Sequence, residues 1–283
     1  MSMLYVGVTG WGDHDTLYKS GIASRDKLKE YGAHFPTVEV DASFYAVQPL
    51  RNMQKWVDET PESFQFVVKA YQGMTGHERG EIPFESKEEM FKAFIESLAP
   101  MKQAGKLAMV LFQFPPWFDC QRKNVEYLRY CKELMGDLPL AVEFRHQSWY
   151  SPDFLEKTIT FLKNERWIHT VCDEPQAGEG SVPLVLRATD AEKTLVRLHG
   201  RNKQGWQKQG NKNWRDVRYL YRYNEEELHQ WVGFTKELQK QSKQVYMLFN
   251  NNSGGDAADN AKQFIQLAGL TYENLASRQL DLF

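Results

Sequence analysis

Eight short apolar runs punctuate the chain, and each ends in polar residues capable of chemistry: LYVGVTGWGD, TVEVDASFY, FQFVVKA, LAMVLFQFPP, LPLAVEFRHQSW, IHTVCDEP, TLVRLHGR and VYMLFNN. The runs are rich in Val, Leu and Phe and stay apolar at nearly every position until their ends. Strands buried on both faces read this way. Amphipathic helical stretches separate most of them. Ser86 and Glu89 have capping-box spacing ahead of one such stretch, which Gly105 ends. Ser151-Pro152 and Asn224 mark two further helix starts. The alternation predicts an α/β fold, a single (β/α)8 TIM barrel, with its chemistry at the C-terminal ends of the strands.

Two segments depart from a minimal barrel. Residues 174–194 show no helical pattern and carry Gly178, Gly180 and Pro183. Residues 201–223 form an insertion after the seventh strand, RNKQGWQKQGNKNWRDVRYLYRY, with seven basic residues, one acid and five aromatics. Basic groups attract phosphates and aromatic faces stack bases. The barrel is expected over 1–274, followed by a tail over 275–283.

Strand parity separates inward from outward residues, because alternate side chains face the barrel interior. It places Glu39 and Asp41 inward on the second strand, Glu143 and Arg145 on the fifth, and Arg197 and His199 on the seventh. Lys69, Gln113 and Asp173 are assigned inward on strands three, four and six, which leaves Cys172 outward as an inert buried thiol. Isolated charges are costly in an apolar interior, so these acids and bases are expected to pair. A closed ion-pair network that only fills the barrel is one outcome; a catalytic site at the mouth is the other.

Glu39, Glu143, Asp173 and His199 are the expected catalytic residues, with His199 as general acid or base made neutral by Arg197 and Arg201. Lys69, Arg145, His146, Arg197, Arg201, Asn250 and Asn251 are the expected substrate-binding residues. The acids and His199 are hard-ligand types that suit a divalent metal, but Arg145 and Lys69 compete by neutralising them. Asn250–Gly255 forms a Gly-containing turn at a helix start, a further place for an anion, although Asp256 brings a carboxylate to it. His77 also lies in a strand-end loop.

Composition narrows the choices. With 283 residues and 42% hydrophobic content, one barrel-sized core is affordable. The net charge of −2 rules out a globally basic nucleic-acid coat, so any phosphate affinity is local. Three cysteines give neither a disulfide framework nor a zinc ribbon. The sequence enters its first strand at once and has no membrane-length apolar run, which points to a cytoplasmic protein without a membrane partner. No Walker loop, dinucleotide fingerprint, HExxH or nucleophile elbow occurs.

The stretches GVTGW (7–11), VEVDASFY (38–45), FQFVVKA (64–70), QFPPWF (113–118), VEFRHQSW (142–149), DEP (173–175), VRLHGR (196–201) and FNN (249–251) span the chain. In these the chain resembles the YecE-like family (domain of unknown function 72). The resemblance implies a TIM barrel with these motifs around its mouth, which adds Trp11 and Tyr45 to the substrate-binding candidates. It implies no reaction. The family's Thr-His pair is interrupted here as Thr75-Gly76-His77, so His77 is not carried over.

The last residues, Gln279-Leu280-Asp281-Leu282-Phe283, are similar to the bacterial sliding-clamp-binding pentapeptide. Such a peptide anchors apolar side chains in a preformed pocket. Three functions follow as expectations. The first is a hydrolase or lyase acting on a phosphate-containing or nucleic-acid substrate. The second is a non-catalytic replication or repair accessory recruited by the clamp. The third is a sugar-phosphate or small-metabolite enzyme.

Overall fold

The structure is a computed structural model and describes residues 2–77, 80–207 and 217–277. Eight parallel strands close into a barrel in chain order: β1 (Met3–Thr9), β2 (Thr37–Val40), β3 (Gln65–Lys69), β4 (Leu107–Gln113), β5 (Leu140–Glu143), β6 (Trp167–Asp173), β7 (Lys193–Leu198) and β8 (Gln244–Phe249). β8 pairs with β1 from Met3↔Gln244 to Val8↔Phe249, which leaves no sheet edge. Each apolar run of the sequence supplies one strand, so the (β/α)8 expectation holds.

Helix starts follow local chemistry. Asn224 and Glu227 form a complete capping box at the helix Glu225–Gln239. The Ser86 hydroxyl accepts from Glu89 N, while the Glu89 carboxylate reaches Glu85 N instead of the cap itself. That segment breaks at Leu98 into the helices Lys87–Ser97 and Ala99–Gln103. Residues 174–194 hold no helix before β7.

The core has two layers. Val6, Val38, Phe66, Phe112, Val142, Val171 and Val196 pack outward under the helices. Val67, Met109, Leu111, Ala141, Ile168, Leu195, Tyr246 and Leu248 fill the interior. Inward positions are mostly apolar through the middle of the barrel, with Thr170 an exception; Thr37, Gln65, Lys193 and Gln244 make the N-terminal rim polar, and the buried carboxylate–guanidinium pairs gather at the strand C-termini. The mouth is where the fold accepts the cost of buried charge. The tail residues Gln279–Phe283 lie outside the described residues. Ala276 N donates to Gly32 O, in the turn leading into β2, which places Ala276 at the end of the barrel opposite the mouth.

Closure between β1 and β2 depends on Gly7. A Cβ there would sit 2.1 Å from the Thr37 carbonyl oxygen, a backbone atom that cannot swing aside. Gly7→Ala is expected to cost about 2 kcal/mol or more by forcing the strands apart. The check is a denaturation midpoint; an unchanged midpoint contradicts the close approach.

Candidate active site at the barrel mouth

Arg197 is the hub of the mouth. Its Nε and Nη2 donate to the two Glu39 oxygens at 2.8 and 2.7 Å, and its Nη1 donates to Glu143 Oε2 at 2.6 Å. The same Nη1 reaches Gln113 Oε1 at 3.2 Å. One guanidinium thus ties β7 to β2, β4 and β5. Arg145, just beyond β5, continues the chain. Its Nε contacts Glu143 Oε1 at 2.6 Å, its Nη1 donates to Glu174 Oε2 at 2.7 Å, and its Nη2 meets His199 Nε2 at 3.1 Å. All of these side chains are buried except Gln113, which is half-buried.

The carboxylates divide by their partners. Burial alone would push Glu143 up, but Arg145 and Arg197 overcome it and hold the group well below the usual carboxylate range. At Glu39 burial wins over Arg197 and the group is raised. Burial drives Glu174 up to about 7, against the pull of Arg145 and the Val182 N–H that donates to Oε1 at 2.6 Å. Environments that push neighbouring acids apart are typical of proton-transfer sites.

His199 is neutral: burial, then Arg145, places it well below its ordinary value. A guanidinium can only donate, so Nε2 accepts from Arg145 and Nδ1 carries the proton. Asn250 lies 2.9 Å from Nδ1, and the amide orientation that satisfies the ring turns Oδ1 toward it. Arg145, more than the expected Arg197 and Arg201, sets this state.

The parity of β6 is corrected. Asp173 faces out, where it accepts from Arg201 Nε at 3.0 Å and from Trp231 Nε1 at 2.9 Å under the helix Glu225–Gln239. Arg201 continues to Glu227 at 3.1 Å. Asp173 and Arg201 therefore join strand to helix and do not reach the centre. The inward residues are Cys172 and Glu174. Ligand atoms of Glu143, Cys172 and His199 lie within 4.8 Å of one another. Burial and the two glutamates push the Cys172 thiol well up, so it is no thiolate. A cation placed among these atoms would also face Arg145 and Arg197, which already neutralise Glu143. The donor set fits an ion-pair centre better than a metal cage.

Other candidates are spread around the rim. Lys69 Nζ bonds Asp41 at 3.2 Å and lies 4.7 Å over the Phe44 ring. Tyr45 is 61% exposed and Trp117 63%, so both present open aromatic faces at the mouth. His77, bonded to Thr75 at 2.9 Å, packs between Phe44 and Trp117. Trp11 packs edge-on against Trp56. Asn251 is not at the mouth: its amide ties Tyr221 O to Asn260 behind β8. Asp256 pairs with Arg222 at 2.8 Å and makes no side-chain cap bond, so Arg222 is also engaged away from the centre.

The insertion after β7 covers the centre with residues that composition alone did not single out. Trp206 lies 5.4 Å from the Arg145 guanidinium and 3.9 Å from that of Arg218. Tyr219 lies 5.9 Å from the His199 ring and edge-on to Trp206. Asn202 closes the base of the insertion by bonding Val217 O and Leu220 O. Gly205 is required there, since a Cβ would meet Val217 O at 2.4 Å. Beside this cover, Pro116, Trp117, His146, Glu179 and Trp206 line a cleft of about 550 Å³. The Trp206 indole N–H is buried and, among the described residues, has no hydrogen-bond partner.

Removing the hub should be worse than neutralising one spoke. Arg197→Met leaves Glu39 and Glu143 buried beside a lost cation and is expected to cost about 3–5 kcal/mol. Glu39→Gln, which keeps the shape, is expected to cost less. Chemical denaturation of both variants checks this; an equal or smaller loss in Arg197→Met would contradict the hub geometry.

Comparison with known proteins gives a consistent picture. The family described as "Protein of unknown function DUF72" matches residues 5–281. The UPF0759 protein YunF of Bacillus subtilis is 67% identical over 282 residues, 99% of this chain and all of that protein. A DUF72 family crystal structure from Enterococcus faecalis superposes with a TM-score of 0.93 at 37% identity, covering 99% of this chain and 100% of that one. A second, from Thermotoga maritima, gives 0.81 at 32% identity, covering 95% and 100%. Among the described residues no helix is long and apolar enough to cross a membrane.

Proposed function

The chain belongs to the DUF72 family, and from that premise we propose that it is an enzyme, a hydrolase or lyase, acting on a phosphate-containing or nucleic-acid substrate at the barrel mouth. The observation that carries this reading is the buried Glu39–Arg197–Glu143–Arg145–Glu174 chain at the strand C-termini. The same barrel fills its lower interior with apolar side chains. Fold stability alone does not require the costlier filling at the top. In TIM barrels that end carries the chemistry.

Two layers of groups divide the work. Glu39, Glu143, Arg145, Arg197 and His199 are buried and set the electrostatic field. Lys69, His146, Asn250, Tyr45 and Trp117 are half-buried or exposed and meet an arriving ligand first, with Arg218 buried behind them against Trp206. Lys69 and Arg218 supply positive charge, and the aromatics supply flat faces for a ring or base. The cleft volume suits a ligand of metabolite or nucleotide size.

The test is calorimetric titration with inorganic phosphate, nucleoside monophosphates and a short single-stranded oligonucleotide at low salt. Binding of at least one of them is expected, weakened about tenfold in Lys69→Met or Arg218→Met. Failure of all three to bind would overturn the reading. A salt slope steeper for the oligonucleotide than for the mononucleotide would identify a polymeric substrate.

A second reading concerns delivery. Ala276, shortly before Gln279-Leu280-Asp281-Leu282-Phe283 in the sequence, lies at the end of the barrel away from the mouth. We propose the bacterial sliding clamp as the partner of that pentapeptide. Deletion of residues 279–283 is expected to abolish retention on immobilised purified clamp; equal retention of the full-length and shortened chains would refute it.

A further inference from the structure

The buried histidine does not offer a free base to a ligand. His199 is 0% exposed, its Nε2 is taken by Arg145 and its Nδ1 by Asn250. Glu143 and Glu39 are likewise enclosed by arginines, and the buried Glu174 has one oxygen on Arg145 and the other on the Val182 N–H. A site that moves a proton at the mouth therefore needs a titratable group outside this layer.

Tyr219 occupies that position. It comes from the insertion, is half-buried, and keeps part of its surface open. Its ring rests against His199 and Trp206, with the Arg218 guanidinium 5.5 Å from its centre. Among the described residues its hydroxyl makes no hydrogen bond. The insertion's other tyrosines are tied down: Tyr221 donates to Glu227, and Tyr223 accepts from the Gly200 N–H. From this geometry we infer that Tyr219 is the proton-transfer residue of the site, the group that exchanges a proton with an oxyanion-bearing ligand held by Lys69 and Arg218. The inference rests on the enzymatic reading above and deepens it.

Electrostatics supports the assignment. Burial would raise the Tyr219 phenol, yet Arg218, Arg145, Lys69 and Arg197 together bring it below its ordinary value of 10.0. Those cations come from the insertion itself and from the ends of β5, β3 and β7. The facing acids are Glu143 and Glu174, both held behind Arg145, and His199 is neutral. By contrast, burial pushes Tyr150 and Tyr223 well above the usual range.

The proton balance is simple. Acting as an acid in hydrolysis, the phenol O–H bond breaks and the proton passes to the leaving oxygen, which takes the electron pair of its breaking bond, while a water oxygen forms the new bond to the atom left behind and sheds a proton to solvent. The phenolate left behind is stabilised by the four cations and takes a proton back from water. Acting as a base, the same steps run in reverse on a substrate hydroxyl or water.

Alkaline spectrophotometric titration of the wild type and Tyr219→Phe tests the assignment, because Phe keeps the ring packing and removes only the ionisation. The difference curve is expected to show one phenol titrating below 10, displaced upward in Lys69→Met. A difference curve with no component below 10 overturns the inference.

Linkage gives the second readout, with inorganic sulfate as a probe whose charge does not change over this range. A phenolate competes with a bound oxyanion for the same cations. Sulfate affinity of the wild type should therefore fall by up to about tenfold per pH unit above the phenol midpoint, and that fall should vanish in Tyr219→Phe. The same pH dependence in both proteins overturns the inference. Absence of sulfate binding at every pH counts against the anion-site reading instead, while the spectral titration still decides Tyr219.

Discussion

The bidentate pairing of Arg197 with Glu39, shared through Nη1 with Glu143, is the constraint on which the mouth depends. Three strands that are distant in sequence are held at one level by one cation. An unpaired carboxylate in this enclosure is costly, so each acid fixes where the guanidinium must stand, and the guanidinium fixes the acids. Arg145 is placed in turn by Glu143 and Glu174, and its remaining nitrogen sets the tautomer of His199. The chemistry of every other group at the centre follows from these bonds.

That dependence explains why the insertion after β7 takes the form it does. Its basic residues are not a uniform phosphate-binding surface. Arg201 is spent on Asp173 and Glu227, and Arg222 on Asp256, which anchors both ends of the segment to neighbouring helices. Arg218 is directed to the mouth, against Trp206. Asn202 and Gly205 hold the two arms together so that Trp206 and Tyr219 come down over Arg145 and His199. The cover is built by packing and by backbone bonds, and it sets which polar groups remain open at the top.

Much of this was legible in the sequence, for identifiable reasons. The barrel was readable because doubly buried parallel strands give continuous apolar runs. Glu39, Glu143, Arg145, Arg197 and His199 were found because β2, β5 and β7 alternate charge with Val, Phe or Leu near their ends. β6 defeated the same rule. All seven of its residues are buried, so both faces look alike and no alternation marks the interior. A slip of one residue then exchanged Asp173 for Glu174 and turned Cys172 outward. Asn251 was misplaced for a related reason, since it lies one residue beyond the inward Asn250 in a run of identical side chains. The insertion announced its composition but not its assignments, because which arginine meets which acid depends on helices far along the chain.

The structure sharpens the division between what makes the field and what touches the ligand. A buried, mutually satisfied network is rigid and preorganised, which suits it to stabilising charge that develops nearby. The same satisfaction disqualifies its members as free acids or bases. His199, the most obvious proton carrier by residue type, is for that reason better placed as a neutral dipole aligned by Asn250 and Arg145. On the enzymatic proposal the reacting groups come from the layer above, where Lys69 is linked to the half-open Asp41 and where, among the described residues, neither the Trp206 indole N–H nor the Tyr219 hydroxyl makes a hydrogen bond. On that proposal catalytic competence is a property of the interface between a fixed ionic floor and the aromatic, cationic cover that the insertion lays across it.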